Sequence, residues 1–306
     1  MTEKWTAQNI PDMSDKVVII TGANSGLGYE STLALVKKKA TVIMACRNLE
    51  KAQSALDSIQ QAVPDADTRI MSLNLGDLAS VRQFVDEFKA NYDRLDVLMN
   101  NAGVLGMPYQ ETPDGFETHI GVNHFGHYVL TGLLLETLLQ TSQSRIVSVS
   151  SNLHHVGWIN FDNINLKNRF HYLLAYNQSK LANVLFIKAL NRRLQSAGHD
   201  TLAAVAHPGY TATNLQAKSG NLIDDLFVKY VGNGLIAHSN NAMGAWSQLY
   251  AATAPDVKGG AYYGPDWFGL RGHPVERTPS RAARNPEKAD RLWQLSEEMT
   301  GVVYSF

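Results

Sequence analysis

Cysteine is almost absent: Cys46 is the only one in 306 residues. That excludes an intramolecular disulfide and a cysteine-rich zinc site. Net charge is nearly absent too. A formal value of −1 at pH 7 leaves no electrostatic case for a nucleic-acid partner or an anionic membrane surface. No uninterrupted apolar run approaches the roughly 18 residues of a membrane span. The best candidate, 128–139, is interrupted by Glu136 and reads as a buried helix. The stretch from Met1 to Ile10 lacks the apolar core of a signal peptide. A cytoplasmic protein without a membrane anchor is the expectation. What is present, 44% hydrophobic and 18% charged residues, suits a globule able to bury a large core.

Short β-rich runs alternate with longer helical stretches. The expected strands are Val17–Thr21, Thr41–Ala45, Arg69–Leu73, Asp96–Asn100, Arg145–Val149, Leu202–Ala206 and Gly260–Tyr263. Several are almost wholly apolar, as strands buried on both faces of a parallel sheet should be. Helices are expected near 26–39, 50–62, 78–91, 115–140 and 174–197. The alternation predicts an α/β fold, a doubly wound parallel sheet with right-handed crossovers. No repeat or linker divides the chain, so one domain over 1–306 is expected. A terminal helix is marked by Asn285 as cap, Pro286 in the first turn and Gly301 after its end. The least regular stretch is 214–240, apolar but broken by Gly220, Gly232 and Gly234. It reads either as a lid over a substrate or as an ordinary packed helix pair.

The run Gly22-Ala23-Asn24-Ser25-Gly26-Leu27-Gly28 follows the first expected strand and opens the first helix. Glycines allow a tight turn and close approach to a pyrophosphate seated at the helix N-terminus. The spacing is Gly-x-x-x-Gly-x-Gly, and its place after the first buried strand weighs against a plain β–α turn. The second strand ends Ala45-Cys46-Arg47-Asn48. A dinucleotide fold that holds the adenosine ribose hydroxyls carries an acid here, whereas an arginine accommodates a 2′-phosphate. Arg47 therefore points to NADP(H) over NAD(H); the bland reading is a solvated arginine at a strand end.

Tyr176 and Lys180 are four residues apart on an expected helix, so both can face one cleft. A free phenol has a pKa near 10, and an adjacent ammonium is expected to lower it. Ser151, just past a strand, can hydrogen-bond a substrate oxygen. Asn123, near the start of a helix over 122–140, can order a water that links Lys180 to solvent. Taken singly, each is as well explained as a surface or capping group. The pairs His124/His127 and His154/His155 lack a third ligand placed by pattern, so no metal is expected. His207 stands at a strand end beside the expected pocket, and Cys46 reads as a small packing residue.

Together these motifs resemble the short-chain dehydrogenases/reductases over almost the whole chain. The matching elements are Thr21–Gly28, Asn100–Gly103, Asn123, Ser151, Tyr176 with Lys180, and the run 208–213. The resemblance implies a Rossmann-type sheet of about seven strands and reversible hydride transfer between NAD(P) and a carbonyl/alcohol pair. It implies Tyr176 as acid/base, Lys180 on the nicotinamide ribose, Ser151 (rather than Ser150) on the substrate and Asn123 in a proton relay. Asn74 and Leu75, with Asn101, Ala102 and Gly103, would flank the cofactor. Pro208, Gly209, Thr211 and Thr213 would meet its nicotinamide end. Finer phrases at 42–47, 122–127 and 179–186 resemble the retinol-dehydrogenase-like branch. Asn74 departs from the family's usual aspartate, and the 25 residues from Ser151 to Tyr176 exceed its short form. The family often pairs the helices around 122–140 and 174–197 between subunits. A homodimer, a homotetramer, or an interface obstructed by the insertion at 152–172 all stay open. Other readings are a non-catalytic NADP-sensing or scaffold protein and a protochlorophyllide-reductase-like enzyme.

Overall fold

Consecutive side chains of a strand point to opposite faces of a sheet, so a wholly apolar strand needs a core on each side. β1 (Val17–Thr21) is buried along its whole length. Its Val17 and Ile19 enter one hydrophobic cluster, its Val18 and Ile20 another. β2 (Thr41–Cys46) divides likewise, with Ile43 and Ala45 against Val42, Met44 and Cys46. The two cores therefore lie on the two faces of one sheet.

A computed structural model of the chain describes residues 4–210 and 241–306. The further strands are β3 (Thr68–Ser72), β4 (Val97–Asn100), β5 (Arg145–Val149), β6 (Leu202–Ala206), β7 (Tyr262–Trp267) and β8 (Arg271–Arg277). The sheet order is β3-β2-β1-β4-β5-β6-β7-β8. β1 to β7 run parallel and β8 pairs antiparallel with β7. All seven expected strands form; the eighth is an addition. The chain order reverses at β1, between β2 and β4, and ligands of such sheets bind beyond the strands' carboxyl ends at that switch point.

The crossovers are α1 (Gly26–Val36), α2 (Leu49–Ala62) and α3 (Leu78–Asn91). The stretch expected as one helix over 115–140 is instead divided. It runs as α4 (Thr118–Ile120), a π-helical turn (Gly121–Phe125), α5 (Gly126–Leu133) and α6 (Leu135–Gln140). Then come α7 (Tyr172–Ser196), α8 (Asn241–Thr253) and α9 (Pro286–Thr300). α9 starts and stops as its residues predict. Asn285 Oδ1 accepts from Lys288 N at 2.9 Å, and Gly301 closes the helix at φ +68°.

Residues 175–187 of α7 are all buried, so the helix is covered all round. Its outer face, and that of α5, lie under α9 and the last residues. Trp293 stacks on Phe186 at 5.9 Å, Tyr304 Oη donates to Tyr128 O at 2.6 Å, and Asp290 accepts from Arg192 and Arg193 at 2.8 and 3.0 Å. Both the chain's own C-terminal helix and the insertion at 152–172 lie on α7: Asn160 N donates to Gln178 Oε1 and Gln178 Nε2 to Ile164 O, both at 2.8 Å. Among the described residues no helix is long and apolar enough to cross a membrane. The segment 214–240, expected as a lid or helix pair, lies outside the described residues, as do Thr211 and Thr213.

Candidate active site

The glycine turn is built by backbone need. Gly22 holds φ +67°, a conformation that side chains disfavour. A Cβ on Gly28 would collide with the carbonyl oxygen of Gly22. Thr21 ties the turn to the end of β4: its Oγ1 accepts from Asn101 N and Ala102 N, both at 2.9 Å, and Asn101 Nδ2 donates to Thr21 O at 2.7 Å.

Beyond these strand ends lies a groove of about 480 Å³. Its walls bring together the predicted Gly22, Asn24, Ser25, Gly26, Leu27, Gly28, Arg47, Asn74, Leu75, Asn101, Ala102 and Gly103. Small residues and open backbone on one wall fit a pyrophosphate; the distal end carries the positive charge. There the structure adds Lys51, one helical turn beyond Arg47. Both side chains are exposed. The sequence signal for Lys51 was its spacing of four from Arg47, with Asn48 between them capping α2 through Lys51 N at 2.8 Å. Asn74 Oδ1 is turned to Gly76 N at 3.2 Å. Cys46 is buried, and burial pushes its thiol up to about 11 against backbone hydrogen bonds from Ala23 and Asn24, which fits the packing role.

The four polar residues of the second constellation converge beside this groove. Lys180 Nζ donates to Val149 O at 3.0 Å and lies 5.6 Å from the centre of the Tyr176 ring. A Cβ on Gly103 would stand 3.2 Å from Lys180 Nζ and 3.4 Å from Asn123 Oδ1, so both side chains reach the groove wall at one point. Asn123 lies inside the π-helical turn rather than near the start of an α-helix. Its Oδ1 accepts from Val104 N at 2.8 Å, and its Nδ2 donates to Ser179 Oγ at 2.9 Å. The two serines part company: Ser150 Oγ is buried and donates to Lys180 O at 2.8 Å, whereas Ser151 is the one that acts on the Tyr176 phenol, favouring its ionised form, and its Oγ accepts from Leu153 N to cap the next turn. Ser151 is therefore the serine beside the phenol.

Burial is the largest influence on the Tyr176 phenol and pushes it up to about 12, with Ser151 acting in the opposite direction. Burial also pushes Lys180 down to about 8. Pro208 and Gly209 are not in the groove wall; Gly209, at φ +78°, packs where a Cβ would meet Leu270 O. The histidines are structural in their contacts. His124 Nε2 pairs with Ser296 Oγ at 2.9 Å, and His207 Nδ1 accepts from Gly209 N at 3.2 Å. No group of three metal-ligating side chains occurs among the described residues.

Residues 16–222 match the family model for short chain dehydrogenase. The chain belongs to the short-chain dehydrogenase family. It is similar to human retinol dehydrogenase 12, at 39% identity over 94% of this chain and 87% of that protein. Mouse retinol dehydrogenase 14 is 38% identical over 95% and 87% of the two chains. A solved protein of Mycobacterium paratuberculosis superposes with a TM-score of 0.82 at 39% identity, covering 99% of this chain and 100% of that one. The short-chain dehydrogenase is thus an oxidoreductase of the retinol-dehydrogenase-like branch, using a nicotinamide cofactor on alcohol or carbonyl groups.

Proposed function

We propose that the enzyme is an NADP(H)-dependent carbonyl reductase and alcohol dehydrogenase in which Tyr176 is the acid/base. The observation that carries this is convergence: the Lys180 ammonium and Asn123 Oδ1 meet where Gly103 forms the groove wall, and the Tyr176 ring, on which Ser151 acts, stands 5.6 Å from that ammonium. The glycine turn would hold the pyrophosphate, Arg47 and Lys51 a 2′-phosphate, and Lys180 the nicotinamide ribose. The bound nucleotide supplies or accepts the hydride.

In reduction, Tyr176 gives its proton to the substrate oxygen while Ser151 Oγ–H donates a hydrogen bond to the same atom. The buried phenol, at about 12, holds that proton ready at neutral pH. The buried ammonium of Lys180 stabilises the phenolate left behind. Asn123, fixed on the other side of Lys180, orders the path by which the proton is replaced. Oxidation runs through the same contacts in reverse. Exposed Trp158 and Phe268 stand on segments tied together by Asn152 Nδ2 donating to Gly269 O at 2.7 Å. Apolar aldehydes and ketones are the substrate class to which the relatives' name, retinol dehydrogenase, points.

The test is NADPH oxidation across a panel of aldehydes, ketones and quinones, with Tyr176→Phe beside the wild type. The variant should bind NADPH normally and lose turnover by a factor on the order of a hundred or more. Turnover close to wild type would remove the assignment.

A further inference from the structure

Counting hydrogens around Thr21 assigns a tautomer to a histidine that the chemistry above does not use. A hydroxyl oxygen has two lone pairs and one hydrogen. Asn101 N and Ala102 N fill both lone pairs of Thr21 Oγ1. Its hydrogen has two candidate acceptors, His127 Nε2 at 2.9 Å and Met99 O at 3.4 Å, and the shorter contact takes it. Nε2 is then bare, so the ring's one proton is on Nδ1, which faces Asn123 O at 3.0 Å. The imidazole joins the end of β1 to the π-helical turn that carries Asn123, and Thr21 in turn holds the Asn-Asn-Ala-Gly turn after β4.

We propose that His127 is a positioning residue, a neutral imidazole protonated at Nδ1 that locks Asn123 to the cofactor turn. A π-helical turn is a rare, weakly favoured geometry, and this one is stapled from within by the bond to Asn123 O. The consequence reaches the reacting groups, because the Asn123 side chain holds Val104 N and Ser179 Oγ and abuts the same point of Gly103 as Lys180. His127 is 1% exposed. Burial pushes it down to about 4, so the bridge stays intact through neutral pH. The effect on turnover rests on the function proposed above; the tautomer and the cofactor contact do not.

Three variants separate the two bonds. His127→Asn keeps an N–H near the Nδ1 position, His127→Gln keeps an acceptor near Nε2, and His127→Phe keeps only the shape. His127→Phe should lower kcat by a factor on the order of ten to a hundred, the scale of small misplacements at a reacting site, and raise the KM for NADPH. His127→Asn should recover most of kcat and His127→Gln should not. Equal loss in Asn and Phe, or no loss in Phe, overturns the proposal. Should a variant fail to fold, histidine-labelled nitrogen NMR of the wild type still decides. The His127 signals should show a protonated Nδ1 and a bare Nε2, unchanged from about pH 5.5 to about pH 8. An Nε2–H tautomer, or titration in that range, overturns it. An active Tyr176→Phe enzyme with the predicted tautomer would refute only the acid/base role.

Discussion

At the scale of the residue, two exposed cations stand at the end of the groove proposed to take a 2′-phosphate. Cys46 stands at the chain position where an acid would grip ribose hydroxyls, but it is buried in the core and does not line the groove. Arg47 and Lys51 line the same end of the groove, so a 2′-phosphate would meet two cations rather than one. A charge-assisted contact contributes about 1.5–3 kcal/mol, which is roughly ten- to hundredfold in affinity. Arg47→Ala should therefore raise the KM for NADPH by about that factor, Lys51→Ala by less, and neither should change NADH kinetics. Measuring kcat/KM for both nucleotides in the three proteins checks this. Equal loss with NADH and NADPH would show that the pair does not read the phosphate. Arg47 was legible as the residue after the second strand; Lys51 offered only its spacing of four as a signal, and it is the first turn of α2 that brings it to the same end of the groove.

Elements show why some segments were readable and others not. α9 carries a cap, a first-turn proline and a terminal glycine, all local signals, and its ends match them. β8 reads Arg-Gly-His-Pro-Val-Glu-Arg, a mostly polar run with a proline inside it, which gives no strand period. It forms because β7 offers an open edge, and an outermost strand tolerates charge and proline. The division of 118–140 at the π-helical turn is likewise silent in the hydrophobic pattern. The packing of α9 on α7 leads to a stability prediction. Trp293 is 4% exposed, with Tyr128, Phe186 and Tyr304 rings around it and Arg193 at 4.3 Å from its centre. Trp293→Ala should cost about 3–5 kcal/mol in urea unfolding, by the same amount at two protein concentrations. A loss that depends on concentration would mean that subunits pair through this face.

At the scale of the whole molecule, burial holds four imidazoles neutral among the described residues. Burial pushes His124 and His207 down to about 3, and His127 and His154 down to about 4. In the unfolded chain each would titrate near 6.5. Between those values the unfolded state binds protons that the fold refuses. The stabilising contribution is thus complete well above about pH 6.5 and is lost as pH falls towards 4. Each group accounts for at most ~1.4 kcal/mol per pH unit and the four together for about 5, comparable with the whole stability of a domain. The urea midpoint should fall modestly between about pH 7.5 and 6.5 and steeply by about pH 5.5. A flat midpoint across that interval would contradict the neutral state of these rings.

The sequence by itself determined the α/β alternation, the glycine turn and the membership of the Asn123, Ser151, Tyr176 and Lys180 set. Those features rest on local demands: strand and helix periods, a backbone angle that needs glycine, and a spacing that puts two side chains on one helix face. Only the tertiary structure decided that burial raises the Tyr176 phenol, that α9 covers α7, and that His127 ties the end of β1 to the π-helical turn. In each case the deciding atom comes from a distant part of the chain, and its desolvation or hydrogen bond exists only once the sheet has brought that part alongside.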